Sequence, residues 1–283
     1  MKKIICDAIF HTVKSSGKIE KGSCTVMKEI IPLICETAKA AGKIALERRK
    51  NFENVRIFSK ETPADLVTDV DREVERFIID RLKQATPEFG FIGEESGVTD
   101  GTSEWAYCID PIDGTTSYVH GSPVFSVSIG VLRGSEFYAG AVFAPQLNEL
   151  YYAEKGKGAF LNGVPIHAST CQTLGEALCS TGFACIRARK EKNNLEYFAK
   201  IVPQLQEIRR TGSAAFDICQ VAAGRFDGYW EFYLHQYDIA AGAVIAMEAG
   251  ALFTDIDGGK EYLEKGLVCA APGVHPLLCH ELH

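Results

Sequence analysis

The chain reads as an α+β protein, and three observations carry that reading. Apolar residues recur at helical spacing in two early stretches, 25–49 and 70–82. Runs of strand-forming residues broken by Gly follow between 124 and 160, in the pattern of antiparallel pairs. Near the end, Tyr237 to Gly250 forms a helix of mostly small residues. The 283 residues are 46% hydrophobic and 24% charged. That is enough to bury a large core without disulfide or metal staples, as one domain or two halves sharing a core. The expected division is an extension over 1–24, an N-terminal α+β half over 25–167 and a C-terminal α/β half over 168–283.

The formal net charge is −7, which argues against a nonspecific nucleic-acid surface, because that requires a basic stripe. Ten cysteines occur singly, with no C-x-x-C pair. They are expected to be reduced, mostly buried thiols of a cytoplasmic protein rather than a secreted disulfide framework. No apolar run approaches the ~18 residues of a bilayer span, so no membrane partner is expected. The start, Met1-Lys-Lys-Ile-Ile-Cys-Asp7, has the charge of a secretory leader, but Asp7 breaks its apolar run and export is not expected.

In order along the chain, Met27, Ile30, Ile31, Ile34, Ala38, Ala41 and Ala45 predict a long amphipathic helix from Thr25 to Arg49. Glu53 to Lys60 reads as a short strand entering a polar loop. Leu66 to Asp71 leads into a second helix with Val74, Phe77, Ile78 and Leu82 on its apolar face, and Asp69 or Asp71 as its cap. Phe89 to Gly93 is a strand ending at Glu94 and Glu95. Successive strand residues point to opposite faces, so one of these two faces a given site. Val124 to Val131 and Glu136 to Ala144 pair around Arg133-Gly134. Tyr151 to Ala153 and Gly158 to Phe160 form a second pair, closing near Asn162-Gly163.

In the second half a helix is predicted over 192–207, and another over Ala214 to Ala223 with Ser213 as its cap. Phe226 to Glu231 is a strand, and Asp238 falls in the first turn of the small-residue helix, where the dipole favours a carboxylate. Asp255-Ile-Asp257-Gly258-Gly259 lacks the later ligands of a calcium loop and reads as a hairpin turn.

The chemistry concentrates in 105–121. Tyr107, Cys108 and Ile109 end a buried strand, and Pro111, with fixed φ and no N–H, is expected to stop it. Asp110 and Asp113 would then face one another across a turn, before Gly114-Thr115-Thr116. A helix opening at Thr115 or Thr116 offers unpaired N–H groups to an anion. Carboxylates beside an anion site repel a phosphate unless hard cations lie between, and oxygen ligands are those Mg²⁺ selects. Asp-Pro and Asp-Gly are also ordinary turn signals.

Gly93-Glu94-Glu95-Ser96, Asp110-Pro-Ile-Asp113-Gly-Thr115-Thr116, Asp238-Ile-Ala-Ala-Gly242 and, upstream, Ala64-Asp65-Leu66-Val67-Thr68 with Asp71 occur in this order. Together they resemble the signature blocks of the inositol monophosphatase family, in the magnesium-dependent, lithium-sensitive sugar-phosphatase superfamily. The similarity covers roughly residues 27 to 275. The resemblance implies a five-layered αβαβα sandwich of the inositol monophosphatase / fructose-1,6-bisphosphatase type. It also implies a homodimer, a site between the two halves, and two to three Mg²⁺ ions.

Carried over, Glu94, Asp110 and the Ile112 carbonyl would bind the first ion, and Asp110, Asp113 and Asp238 the second. Asp71 would hold a third through water, together with Glu94. Gly114 and Thr115 N–H groups, beside Asp113, would receive phosphate oxygens; Glu231 and the Ala214 region would meet sugar hydroxyls. Glu94 and the Thr115 hydroxyl, with Asp71, would orient and deprotonate water. The implied reaction is hydrolysis of myo-inositol 1-phosphate to myo-inositol and phosphate.

Tyr237 stands where the family usually has Trp, which leaves open histidinol phosphate, fructose 1,6-bisphosphate or adenosine 3',5'-bisphosphate as substrate. The Arg187, Arg189, Lys190, Lys192 tract reads as a solvated face before it reads as a second phosphate site, and Arg209 and Arg210 receive no role. Haloacid-dehalogenase-like phosphatases place their two aspartates two apart, against three here. A non-catalytic regulatory protein on the same fold is the alternative from another class.

Overall fold

The computed structural model describes residues 29–59, 62, 66–191 and 193–283. Helix α1 (Ile30–Lys50) buries Ile30, Ile34, Ala38, Ala41 and Ala45 completely along one stripe, as a 3.6-residue period requires. Arg48, Arg49 and Lys50 close it, where positive charge opposes the helix dipole. The expected start at Thr25 lies outside the described residues, as do most of the polar loop 60–65, including Asp65, and Lys192.

The strand expected over 53–60 is shorter: a 3₁₀ turn at Phe52–Asn54 precedes β1 (Ile57–Ser59), which pairs antiparallel with β2 (Leu66–Thr68). Helix α2 (Asp69–Ala85) follows, and its cap is neither Asp69 nor Asp71 but Thr68. The Thr68 hydroxyl accepts the Val70 N–H, while Asp71 reaches back to the Thr68 N–H at 2.8 Å, a capping box. Asp69 instead accepts from Arg48 Nη2 at 2.9 Å and from the Arg56 N–H.

The larger sheet comprises β3 (Gly90–Gly93), β4 (Gly97–Thr99), β5 (Trp105–Asp113), β6 (Ser126–Arg133), β7 (Glu136–Ala144), β8 (Glu149–Glu154), β9 (Ala159–Leu161) and β10 (Val164–Ile166), with the short helix α3 (Thr115–Val119) after β5. Its order is β10-β9-β8-β7-β6-β5-β3-β4, and only β3 with β5 is parallel. Asn162-Gly163, both at positive φ, turns β9 into β10, a strand the sequence reading lacked; the β8–β9 turn lies earlier, at 155–158.

Pro111 does not end its strand. β5 runs through it to Asp113, with a register shift between Asp110, opposite Ser128, and Asp113, opposite Ser126. Three steps on β5 match two on β6, the signature of a bulge with one extra residue. A proline fits there because an unpaired residue needs no ladder N–H.

The smaller sheet comprises β11 (Leu178–Thr181), β12 (Glu207–Arg209), β13 (Gly228–Glu231), β14 (Leu252–Asp255) and β15 (Leu267–Ala270), in the order β12-β11-β13-β15-β14. Helices α4 (Ala184–Arg187), α5 (Leu195–Ile201), α6 (Ala214–Ala222), α7 (Gln236–Glu248), α8 (Tyr262–Lys265) and α9 (His275–Leu282) accompany it. The helix expected over 192–207 is much shorter. Pro203 opens a 3₁₀ turn after α5 and the chain then straightens into β12, since proline cannot continue an α-helical hydrogen-bond ladder. Asp255 is fully buried and accepts the N–H groups of Asp257, Gly259 and Glu261. That turn closes on its own backbone, and α8 follows before β15 rather than a tight hairpin.

Packing gives five layers. α1 and α2 cover one face of the larger sheet, α6 and α7 fill the space between the sheets, and α5 and α9 cover the far face of the smaller one. The eight described cysteines are all free and six are buried. Among the described residues no helix is long and apolar enough to cross a membrane.

The small residues of α7 have a steric purpose. Gly130 and Gly140 are cross-strand partners on β6 and β7, and Ala240 and Ala241 of α7 lie directly on them. A Cβ at Gly140 would sit 2.5 Å from the Ala241 carbonyl oxygen and 2.7 Å from its Cα, so the helix backbone would have to lift off the sheet. Gly140→Ala is therefore expected to lower unfolding free energy by about 1–3 kcal/mol. Gly175→Ala, where an added Cβ meets nothing within 4 Å, should change it by less than about 0.5 kcal/mol. Urea denaturation of both variants measures the difference.

Candidate active site

Where the bulge in β5 meets the N-termini of α6 and α7, acidic side chains converge. In a regular strand, residues three apart point to opposite faces; the extra residue at Pro111-Ile112 brings Asp110 and Asp113 to the same side. Glu94 follows the end of β3, its N–H donating to the Ile109 carbonyl at 3.1 Å, and Asp238 sits in the first turn of α7. Asp71, from the capping box of α2, completes the group.

Each carboxyl is held by its own local structure. Asp110, 2% exposed, accepts the Ile112 N–H at 3.1 Å and shares a hydrogen bond with the Glu94 carboxyl. Asp113 accepts the Ser213 hydroxyl at 2.6 Å, the Ala215 N–H at 2.7 Å and the Ala214 N–H at 3.2 Å. It thus joins Ser213 in capping α6, a hundred residues away. Asp238 accepts the His235 N–H at 2.6 Å. Asp71 takes the Thr68 hydroxyl on one oxygen and the Thr115 hydroxyl, at 3.1 Å, on the other. The Thr115 hydroxyl also lies 3.2 Å from the Ile112 carbonyl oxygen.

Burial, then the neighbouring charges of Glu94, Asp113 and Asp238, push the Asp110 carboxyl well above the usual carboxylate range. Burial likewise raises Asp238, with Asp113 and Glu94 adding to it. Burial takes Asp113 to about 6, restrained by its bonds to Ser213, Ala215 and Ala214, and Asp71 to about 7 against its bonds to Thr68. Such a group is stable in two ways: protons shared within it, or cations brought to it. Among the described residues no three acidic, His or Cys side chains are drawn together as a preformed metal cage; the oxygens are turned to hydrogen bonds instead. The donor set is nonetheless all oxygen and carries excess negative charge, which is what a hard divalent cation requires.

Glu94, Asp113 and Asp238 line one cleft of about 310 Å³ together with Ala214 and Glu231. Asp110 and Asp71 couple to it through Glu94. Ile112, Gly114 and Thr115 are not among its lining residues; Gly114 opens α3 in a left-handed conformation (φ 96°), and an added Cβ there would lie 3.0 Å from the carbonyl oxygen of Gly212, which does line the cleft. Glu95 points elsewhere, 3.8 Å from Arg72 Nε. Glu231, 5% exposed, accepts the Ala184 N–H at 2.9 Å and the Tyr229 hydroxyl at 2.6 Å. Ala214, whose region the resemblance places against a sugar hydroxyl, lines the cleft, and its N–H donates to Asp113.

Cleft residues that carried no expectation of a site role include Arg210, Asp217, Tyr233 and His235. Arg187 does reach the cleft, whereas Lys190 lies over the Tyr233 ring at 4.8 Å. Tyr237 lines it too, its ring stacked on His235 at 5.0 Å.

Comparison with known proteins shows what the chain is similar to. A relative from Vibrio cholerae serotype O1, named Nus factor SuhB, is 38% identical over 261 residues, covering 90% of this chain and 96% of that one. A Rhizobium meliloti protein named inositol-1-monophosphatase is 38% identical over 244 residues, covering 85% and 91%. The solved structure of the extragenic suppressor protein suhB from Bartonella henselae superposes with a TM-score of 0.83 at 32% identity, covering 92% of this chain and 98% of that one. The model describing the inositol monophosphatase family matches residues 26–283. The chain belongs to the inositol monophosphatase family.

Proposed function

We propose that this protein is a Mg²⁺-dependent phosphomonoesterase whose leading substrate is myo-inositol 1-phosphate, hydrolysed by water without a covalent phosphoenzyme. One observation carries the proposal: Glu94, Asp113, Glu231 and Asp238, brought from separate parts of the chain, line one small cleft. Glu94, Asp110 and the Ile112 carbonyl are the donors for one ion, and Asp110, Asp113 and Asp238 for a second. Asp71 and Glu94 serve an outer ion, for two to three in all. When bound, Mg²⁺ neutralises the ester phosphate and makes water a better nucleophile.

The chain's own groups do the rest. Gly114 and Thr115 N–H groups receive phosphate oxygens, as helix-opening donors do. The Thr115 hydroxyl, held against Asp71, helps orient the attacking water, the Glu94 carboxylate takes its proton, and the departing alkoxide takes a proton from a second water. Glu231, fixed on both oxygens, still lines the cleft wall and accepts a hydroxyl of the inositol ring. Phosphoryl transfer needs mainly positioning and charge stabilisation, and these residues offer both.

A second, non-catalytic reading is favoured by one observation: relatives as similar as the named enzymes carry the name Nus factor. The two readings part on Asp110→Asn. For the enzyme, this change is expected to lower kcat on myo-inositol 1-phosphate by at least about 100-fold. It should also abolish the stabilisation by Mg²⁺ expected of the unchanged protein, about 2.7 kcal/mol at a hundred times Kd, read as a rise in Tm. Phosphate release that is indifferent to both Mg²⁺ and Asp110 would remove the enzymatic reading.

Gly182 gives a finer test. A Cβ there would lie 1.9 Å from a Glu231 oxygen, so Gly182→Ala must displace that carboxylate. The expected outcome is a KM for inositol phosphate raised about tenfold, as for loss of one hydrogen bond to a charged group. The Mg²⁺-dependent Tm shift should persist, and steady-state kinetics with thermal melts check both.

A further inference from the structure

Glu75 is a buried carboxyl of α2 that the acid cluster does not include. It lies one helical turn after Asp71, so the two share a face of the helix, and it is 3% exposed. Its Oε1 accepts the Glu95 N–H at 2.9 Å. The carboxyl also packs directly on Gly93, where an added Cβ would lie 2.4 Å from that oxygen and 2.6 Å from the Ser96 hydroxyl. Gly93 and Gly97 pair across β3 and β4, so Glu94, Glu95 and Ser96 form a turn that closes on this one oxygen. A buried Glu is rare unless its oxygens are occupied; here the occupant is the backbone of the turn that carries Glu94.

Two backbone bonds therefore bracket Glu94. Its own N–H goes to the Ile109 carbonyl on β5, one residue ahead of Asp110, and the next N–H goes to Glu75 on α2. Peptide units are planar, so holding the unit on each side of a residue sets its two free backbone angles. We propose that Glu75 is a positioning residue: through the Glu95 N–H it fixes where the Glu94 carboxyl stands relative to Asp71 and Asp110, and with that the affinity of the cluster for Mg²⁺. This rests on the Mg²⁺-dependent reading. Helix α2 then carries one carboxyl of the cluster directly, Asp71, and holds a second, Glu94, by way of the backbone. What the position requires is the reach of the side chain and an acceptor oxygen at its end, not its charge.

Titration calorimetry with Mg²⁺ on the full chain, comparing Glu75→Asp with Glu75→Gln, separates reach from charge. Asp keeps the charge but is one methylene short of the Glu95 N–H, whereas Gln keeps the length and an acceptor oxygen. Glu75→Asp is expected to raise the Mg²⁺ Kd about 10–100-fold, as loss of a partner behind a ligand does. Glu75→Gln should raise it less than about threefold, since its amide oxygen can take the same N–H. The Mg²⁺ concentration that half-saturates hydrolysis of myo-inositol 1-phosphate should move in parallel. If Glu75→Asp does not melt cooperatively, Gly93→Ala replaces it: Glu75 remains, the added Cβ forces its carboxyl out of the turn, and the same loss of affinity is expected. A Kd within about threefold of the unchanged protein in Glu75→Asp, with only Tm lowered, would overturn the assignment and leave Glu75 an anchor of the fold. A larger loss in Glu75→Gln than in Glu75→Asp would overturn it in favour of a charge effect. If the unchanged protein takes no Mg²⁺, the Mg²⁺-dependent reading itself falls, and the assignment falls with it.

Discussion

Repulsion among carboxyls in a space too small for all of them to be ionised is the constraint on which this structure depends. Glu94, Asp110, Asp113 and Asp238 come from β3, β5 and α7, elements that would lie further apart if sequestration of charge were the only concern. The fold tolerates the crowding because the carboxyls are anchored by hydrogen bonds from their own or a neighbouring element. Asp110 takes the Ile112 N–H, Asp113 takes the opening of α6, Asp238 takes the His235 N–H, and Asp71 is half of a capping box. A carboxylate at a helix N-terminus gains about 0.3–1 kcal/mol on exposed surfaces. Several such gains make a dense acidic cluster foldable before any cation arrives.

Much of the fold was legible because periodicity survives folding. The stripe on α1, the β6–β7 pair and the Ser213 cap all follow from short-range pattern. Pro111 was misread because its missing N–H is compatible with a strand end and with a bulge alike; only the pairing partner, β6, decides between them. The stretch 192–207 was misread because its helix-forming residues hide a single Pro203. Thr68 was overlooked as a cap because two aspartates stood next to it with the same propensity.

The site was legible as far as its residues are clustered in sequence. Glu94, Asp110, Asp113 and Asp238 carry local motifs. Asp217 carries none: within Ala214-Ala215-Phe216-Asp217 it looks like an ordinary exposed helix position, and its burial follows from where α6 sits between two sheets. The Ala214 N–H is engaged by Asp113, a residue on another element. Long-range pairings of this kind leave no trace in a window of a dozen residues.

The capping of α6 by Asp113 joins two things usually separate in an enzyme. The same carboxylate forms part of the cleft wall and fastens the larger sheet to the helix layer that supports the smaller one. Any ligand that pulls on Asp113 therefore tugs at the seam between the halves, and whatever tightens that seam presses back on the ligand. Chemistry and mechanical cohesion share one side chain here, so evolution has little freedom to tune either alone.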